Sequence, residues 1–519
     1  MSLFRSIATV GGFTMLSRVT GLMREMMIAH YMGAGAVADA FFVAFRFPNL
    51  FRSLFAEGAF NAAFVPLFTG KLAAAKEDGG GEAEARCFAE QSLAVMALVL
   101  GVFVAVIELA MPWAIYALAP GFAEVEGKLQ LAVELSRICF PYLLFISLTS
   151  LQAGVLNSLG RFAAAAGTPV LLNLVAMAGL WALAPVTATP GHALAWGTFA
   201  AGIAQFTWLV FSVRKAGMPL RLARPRLTPE VKLLGKRIVP GAVGAGVYQV
   251  NLVINTMIAS TVANGAVSYL NYADRVNQLP LGVVGIAIGT ALLPLLSRQL
   301  KAGDMVAARD SQNRAMEFAL LMTLPAAAAL MVLAEPVIRV LFQRGSFGPA
   351  ETQATADALI AFAIGLPAYV LVKVLTPAFF AREDTRTPVK VAGATMALNV
   401  VLNLALVGSL AHVGMALSTA LAAWFNVAVL AALLARRGFF AMDRRLLGKA
   451  PRILAAAAVM AAALAAAKLV LWPWAVHSWQ ALAAVAALVG LGLVAFAVAA
   501  QVLGAARLSE VKAMLRRRK

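Results

Sequence analysis

The sequence predicts an all-α polytopic membrane protein of about fourteen transmembrane helices, and three observations carry that reading. The chain has 519 residues, is 61% hydrophobic and only 13% charged, and has a mean hydropathy of +0.83. That is more apolar surface than a soluble core of ordinary composition encloses. Apolar stretches of about twenty residues, the length that crosses a hydrocarbon core, recur along nearly the whole chain. Most Lys and Arg fall in alternate loops, which is the positive-inside pattern.

Taken in order, the candidate spans are 6–31, 37–70, 87–117, 131–158, 162–184, 191–213, 233–262, 267–296, 313–342, 353–380, 388–409, 413–435, 452–472 and 480–504. The first carries Arg18 and Arg24 and lacks the short uninterrupted apolar core of a signal peptide, so it reads as a mature helix. The second contains Pro48, expected to kink it. One set of loops holds Lys71, Lys76 and Arg86, Arg161, a dense run from Arg214 to Arg237, Arg298 to Arg309, Arg382 and Arg386, Arg436 to Arg445, and the tail Arg516 to Lys519. The other set is nearly bare, with Lys128, Arg339 and Arg344 its clearest basic members. An even helix count with both termini cytoplasmic follows.

An internal repeat divides the spans. FVPLFTGKL at 64–72 resembles LLPLLSRQL at 292–300, and TPVLLNLV at 168–175 echoes TPVKVAGA at 387–394. The expected organisation is an N-terminal lobe over 1–215, a basic cytoplasmic linker over 216–232, a C-terminal lobe over 233–436, and a final helix pair with a basic tail over 437–519.

The net charge of +19 raises nucleic acid as a partner, but its placement in alternate loops accounts for it without a polynucleotide. Cys87 and Cys139 cannot frame a disulfide-rich domain and read as packing residues. His30, His192, His412 and His477 are scattered, so no metal site is expected. No GxxxxGK[ST] motif supplies an ATP-driven engine.

The informative residues break the apolar pattern: Arg18 and Arg24 in the first span, Asp39, Arg46, Asn49, Arg52 and Glu57 in the second, Arg137 in the fourth, Asp274 and Arg275 in the eighth, Lys373 in the tenth. An arginine near the bilayer centre costs about 2.5 to 3.5 kcal/mol on insertion scales. These arginines therefore face water or one another, or snorkel. Arg18, Arg24, Arg46, Arg52 and Arg275 outnumber Asp39, Glu57 and Asp274, and a cationic cavity in a membrane expects an anion. Asp39, one helix from Arg24, is expected to pair with or orient a guanidinium.

These residues stand in SRVTGLMRE at 17–25, ADAFFVAFRFPNLFRSLFAEGAFNAAFVPLF at 38–68 and YADRVNQLPLGVVGIAIGTALLPLLS at 269–297, with TPVK at 387–390. Over essentially its full length the chain resembles the MurJ/MviN lipid II flippases of the multidrug/oligosaccharidyl-lipid/polysaccharide exporter superfamily. The resemblance implies two six-helix lobes around a central cationic cavity and a last helix pair forming an apolar groove for a polyprenyl tail. The substrate it implies is lipid II, the undecaprenyl-pyrophosphate-linked disaccharide-pentapeptide, flipped across the bacterial inner membrane by a chain acting as a monomer among membrane lipids.

It makes Arg18, Arg24, Arg52 and Arg275 substrate-binding residues. Asp39, Arg46, Asn49, Glu57 and Asp274 set the cavity electrostatics, and no catalytic residue, metal or cofactor is expected. Asn399 and Asn403 fall in the region of the family's sodium site, which is not assigned residue by residue; coupling to a monovalent cation or to membrane potential both stand.

Two rival readings differ in their chemistry. A drug or cation antiporter of the same superfamily is expected to carry acidic or aromatic groups in its cavity, against the arginine excess here. A polyprenyl-phosphate-processing enzyme is expected to cluster carboxylates in one loop for a metal or an acid/base pair.

Overall fold

The computed structural model describes residues 3–55, 59–78, 81–475 and 477–506. Among them there is no strand. The helices are α1 (Leu3–Met32), α2 (Ala36–Phe55), α3 (Ala59–Asp78), α4 (Gly81–Leu118), α5 (Lys128–Cys139), α6 (Tyr142–Ser158), α7 (Phe162–Leu183), α8 (Pro190–Lys215), α9 (Pro229–Ser260), α10 (Ala266–Lys301), α11 (Met305–Val332), α12 (Ala334–Phe342), α13 (Pro349–Phe380), α14 (Arg386–Arg436), α15 (Arg444–Leu471) and α16 (Ser478–Val502). The chain forms two compact units, 1–268 and 269–519.

Among the described residues nine helical stretches are long and apolar enough to cross a membrane. The expected first, second, seventh and eighth spans also coincide with helices, namely α1, α2 with α3, α9 and α10. Three expected spans, the second, the fourth and the ninth, are each two helices. The fourth span is two helices, α5 and α6, parted at Pro141, where the missing N–H removes a helical hydrogen bond. The ninth is α11 and α12, parted at Leu333 (φ −102°, ψ 14°). The eleventh and twelfth adjoin within α14 and are parted at Ala411 (φ 46°, ψ −131°), inside the expected gap between 409 and 413. Glu57 and the tail Arg516 to Lys519 lie outside the described residues.

Helices start where the sequence supplies an oxygen for their unpaired N–H groups. Asp304 accepts from Ala307 N–H at 2.9 Å to begin α11, and Asp443 from Leu446 N–H at 2.6 Å to begin α15. Before α14, Asp384 accepts from the Thr387 hydroxyl at 2.6 Å and N–H at 2.9 Å, and from Arg437 Nη1 at 2.6 Å. The Thr387 hydrogen bond, aided by Arg437, holds the Asp384 carboxyl well below the usual carboxylate range.

In lipid, helix association depends on close packing rather than on expulsion of water. In the first unit Phe60, Phe64, Phe68 and Phe88 stack with ring centroids 5.3 to 5.5 Å apart. There α7 meets α8 so closely that a Cβ on Gly179 would lie 2.5 Å from Gly197 Cα. In the second unit a Cβ on Gly365 of α13 would lie 2.8 Å from Ala420 Cα of α14. Outward faces are apolar, and exposed Trp113, Trp181, Trp474 and Trp479 lie near helix ends, where interfacial tryptophans are enriched.

The three basic exceptions on the sparsely charged side each have a local partner. Lys128 pairs with Asp39 at 2.7 Å; Arg339 donates to Ala475 O at 3.1 Å and lies 5.1 Å from the Trp472 ring centroid; Arg344 donates to Val340 O at 2.6 Å.

At the other end of the second unit, Glu317 of α11 gathers α15. Arg445 reaches its two oxygens through Nε and Nη2 at 3.1 Å each, Lys449 Nζ lies at 2.8 Å, and Arg314 also pairs with it. The Glu317 side chain is 11% exposed, so Glu317→Gln, which keeps the shape and removes the charge, is expected to destabilise α15 docking by about 1.5 to 3 kcal/mol. The check is the thermal unfolding midpoint in detergent; an unchanged midpoint would make the cluster a surface network of no consequence.

Candidate functional site

Helices α1 and α2 position most of the intramembrane charge in the first unit. On α1, Arg18 is half-buried, while Arg24 is 8% exposed. Arg24 Nη2 donates to Glu25 Oε1 at 2.8 Å, its guanidinium lies 5.4 Å from the Phe45 ring centroid, and its buried Nε has no hydrogen-bond partner. A buried, partly unsatisfied guanidinium is costly.

On α2 a short relay aims the next arginine. Asn49 Nδ2 donates to Phe45 O one turn back at 2.7 Å, which turns its Oδ1 to accept from Arg52 Nε at 2.9 Å. Residues three apart share a helix face, so Asn49 fixes the direction of the Arg52 fork. Arg46 Nη1 donates to the Thr256 hydroxyl of α9 at 2.7 Å. Pro48 sits inside α2, between the two arginines.

Asp39 departs from expectation. It is fully buried in the first turn of α2 and touches Lys128, not a guanidinium. Its Oδ2 accepts from Lys128 Nζ at 2.7 Å and Gly265 N–H at 2.7 Å, its Oδ1 from Ser268 N–H at 2.8 Å and the Ser268 hydroxyl at 2.6 Å. The carboxylate thus caps the start of α10, where the unpaired N–H groups and the helix dipole favour an anion. Lys128 also donates to Asn264 Oδ1 at 2.9 Å and lies 4.3 Å from the Phe122 ring centroid. Arg24 pairs instead with Glu25, the next residue in the chain.

Two members of these ion pairs, Lys128 and Glu25, are not marked as paired by the sequence pattern. Lys128 was expected to be a loop residue, and its partner is 89 positions away. Glu25 closes the SRVTGLMRE motif directly after Arg24. In the second unit, Asp274 accepts from Gln278 Nε2 and Arg275 is half-buried beside it on α10. Arg137 of α5 and Lys373 of α13 are exposed.

The family model described as lipid II flippase MurJ matches residues 28–485. The chain belongs to the MurJ lipid II flippase family. A relative from Rhizobium meliloti, named "Probable lipid II flippase MurJ", is 49% identical over 468 residues, covering 89% of this chain and 86% of the relative. One from Burkholderia cenocepacia, named "Lipid II flippase MurJ", is 39% identical over 447 residues, 85% of each chain. A solved lipid II flippase MurJ in an inward closed conformation superposes with a TM-score of 0.78 at 25% identity, covering 95% of this chain and 98% of its own. An inward-facing multidrug transporter of the MATE family, of the MOP superfamily, shares the fold at a TM-score of 0.66 and 14% identity, covering 82% of this chain and 94% of its own.

In this MurJ family member the region of Asn399 and Asn403, for which coupling to a cation stands open, is a small polar cluster. Asn399 and Asn403 are buried on α14, with Asn399 Nδ2 3.5 Å from Thr419 Oγ1 and Asn403 Nδ2 3.4 Å from Asn399 Oδ1. Amide and hydroxyl oxygens can ligate a monovalent cation. Among the described residues, though, no group of three or more His, Cys, Asp or Glu side chains is placed to hold a metal.

Proposed function

We propose that this chain flips lipid II, the undecaprenyl-pyrophosphate-linked disaccharide-pentapeptide, from the cytoplasmic to the periplasmic leaflet of the bacterial inner membrane by alternating access. It acts as a monomer with both termini cytoplasmic, through fourteen crossings arranged as two six-helix lobes and a terminal pair.

One observation carries the reading. α1 and α2 bring Arg18, Arg24, Arg46 and Arg52 into one unit, with Arg24 buried beside Glu25 and the Arg52 fork aimed by Asn49. Several planar guanidinium forks in one region suit a pyrophosphate, which can take more than one at once. Arg275 on α10 contributes a further fork. The α15–α16 pair, with exposed Leu469, Val470, Leu493 and Val494, offers an apolar face for the polyprenyl tail. Moving a net anion out of a negative-inside cell is favoured by about 2.3 kcal/mol per charge per 100 mV, so membrane potential can drive the cycle without an ATP-binding motif.

The test is a leaflet-resolved assay of the precursor in cells depleted of their own flippase and supplied with this chain. Precursor of unchanged mass reaching the outer leaflet supports transport; an altered headgroup would make the protein an enzyme, and no transfer would reject both.

The topology is tested separately. Ala188 between α7 and α8 and Ala302 between α10 and α11 are exposed. With exposed Cys87 replaced by Ser, cysteines at Ala188 and Ala302 are expected to label from opposite sides of the membrane. Labelling from one side would defeat the fourteen-crossing arrangement.

A further inference from the structure

The first unit contains a cavity of about 430 Å³ that the transport reading does not use, within the range of roughly 300 to 1,000 Å³ found for small-ligand sites. Its walls come from Leu93 of α4, Leu148 of α6 and Phe206 and Val210 of α8. The linker after α8 closes part of its mouth with Leu220 and Leu222. That linker is pinned across α4, with Arg221 N–H donating to Glu90 Oε1 at 2.9 Å and Arg226 N–H to Gln91 Oε1 at 3.0 Å.

Two polar groups interrupt the apolar lining. Gln152 is only 2% exposed and its Oε1 has no hydrogen-bond partner, an arrangement that costs free energy unless something fills it. Arg214, in the last turn of α8, lies exposed in the cavity wall.

The surroundings say what kind of molecule fits. Val99, Trp208 and Phe211 on the flanking helices are exposed and apolar, as expected of surfaces that meet lipid. The linker combines exposed Arg221, Arg224 and Arg226 with Leu222 at 73% and Leu227 at 65% exposure. Basic residues interleaved with exposed leucines mark a segment that lies on an anionic membrane surface.

We propose that this cavity seats an anionic phospholipid of the leaflet beside the basic linker. One acyl chain lies between α4, α6 and α8, the phosphate sits on Arg214 at the mouth, and the glycerol region meets the buried amide of Gln152. A carboxamide offers both acceptor and donors, and the hydroxyl and ester oxygens of phosphatidylglycerol complement both. The site needs no flipping activity, so its test is independent of the transport reading.

The probe is phosphatidylglycerol against phosphatidylcholine at equal concentration, added to the delipidated full-length chain in an uncharged detergent and counted as bound lipid by native mass spectrometry. The wild type is expected to retain phosphatidylglycerol preferentially. Arg214→Gln is expected to weaken that retention about fivefold, the effect of one interfacial cation. Ala97→Phe or Val210→Trp, each filling the cavity from its wall, is expected to abolish the preference while the lipid-free unfolding midpoint stays within a few degrees.

Two cavity-filling positions keep the test open if one variant misfolds. Equal retention of the two lipids, or phosphatidylglycerol retained unchanged in Arg214→Gln and in a folded cavity-filling variant, overturns the site. Full displacement by glycerol 3-phosphate overturns the acyl-chain part and leaves a headgroup site alone.

Discussion

Replacing Arg18, Arg24, Arg52 or Arg275 singly by alanine is expected to lower the precursor reaching the outer leaflet, at equal protein abundance, on the order of tenfold to a hundredfold. That is what losing one charge-assisted contact of about 1.5 to 3 kcal/mol produces. Membrane insertion is expected to survive, because removing a charge makes a helix easier to insert. Lysine variants separate charge from geometry, since an ammonium keeps the charge and loses the planar fork.

The structure sharpens this at Arg52, whose Nε donates to Asn49 at 2.9 Å. Arg52→Lys removes that tether, and Asn49→Ala removes it from the other side. Both are expected to impair flipping less than Arg52→Ala does, and combining them is expected to add little. Four alanine variants that flip normally would show that these arginines serve packing, and the substrate site would have to be sought elsewhere. Full activity of Arg52→Lys would mean that positive potential alone suffices.

Much of the fold is legible in the sequence because lipid leaves the chain few choices: each crossing satisfies its own backbone as a helix and shows apolar side chains. The cost of burying guanidinium likewise singles out Arg24, which the structure places 8% exposed. What the sequence hides is partnership. Asp39 and Lys128 are joined across 89 positions, and an even helical period carries no sign of it. Lys128 stood out only as a basic residue on a side where basic residues are sparse, and that mismatch was the available clue.

Glu317 was concealed differently. α11 begins at Met305, earlier than the apolar pattern suggests, so Glu317 lies well inside the helix rather than at its start, and Arg445 and Lys449 of α15 reach it from alongside. The break at Ala411, with φ at 46°, falls in the short gap between the apolar spans 388–409 and 413–435, although alanine itself is a poor choice for that conformation.

Asp39→Asn is expected to destabilise the protein by about 3 to 5 kcal/mol, the cost of leaving one partner of a buried ion pair uncompensated. Asparagine keeps one acceptor oxygen, enough for the Ser268 donors, while its NH2 faces the Gly265 N–H, and the Lys128 ammonium, 2% exposed, is left without its counter-charge among Phe122 and Asn264. Lys128→Met is expected to cost less. Its removal leaves the carboxylate three donors, Gly265 N–H and both groups of Ser268, at a helix start that favours an anion.

The double variant Asp39→Asn, Lys128→Met removes both charges, and its unfolding midpoint and abundance are expected to recover most of what Asp39→Asn loses, a coupling that independent sites would not show. If Asp39 acts only through this pair, flipping recovers in step with abundance. If the charge at the start of α10 is itself needed for the transport cycle, the double variant is folded and abundant and still flips poorly. A double variant as unstable as the sum of its parts would show that Asp39 and Lys128 are not coupled, and the reading of Lys128 as the partner that holds Asp39 in place would fall.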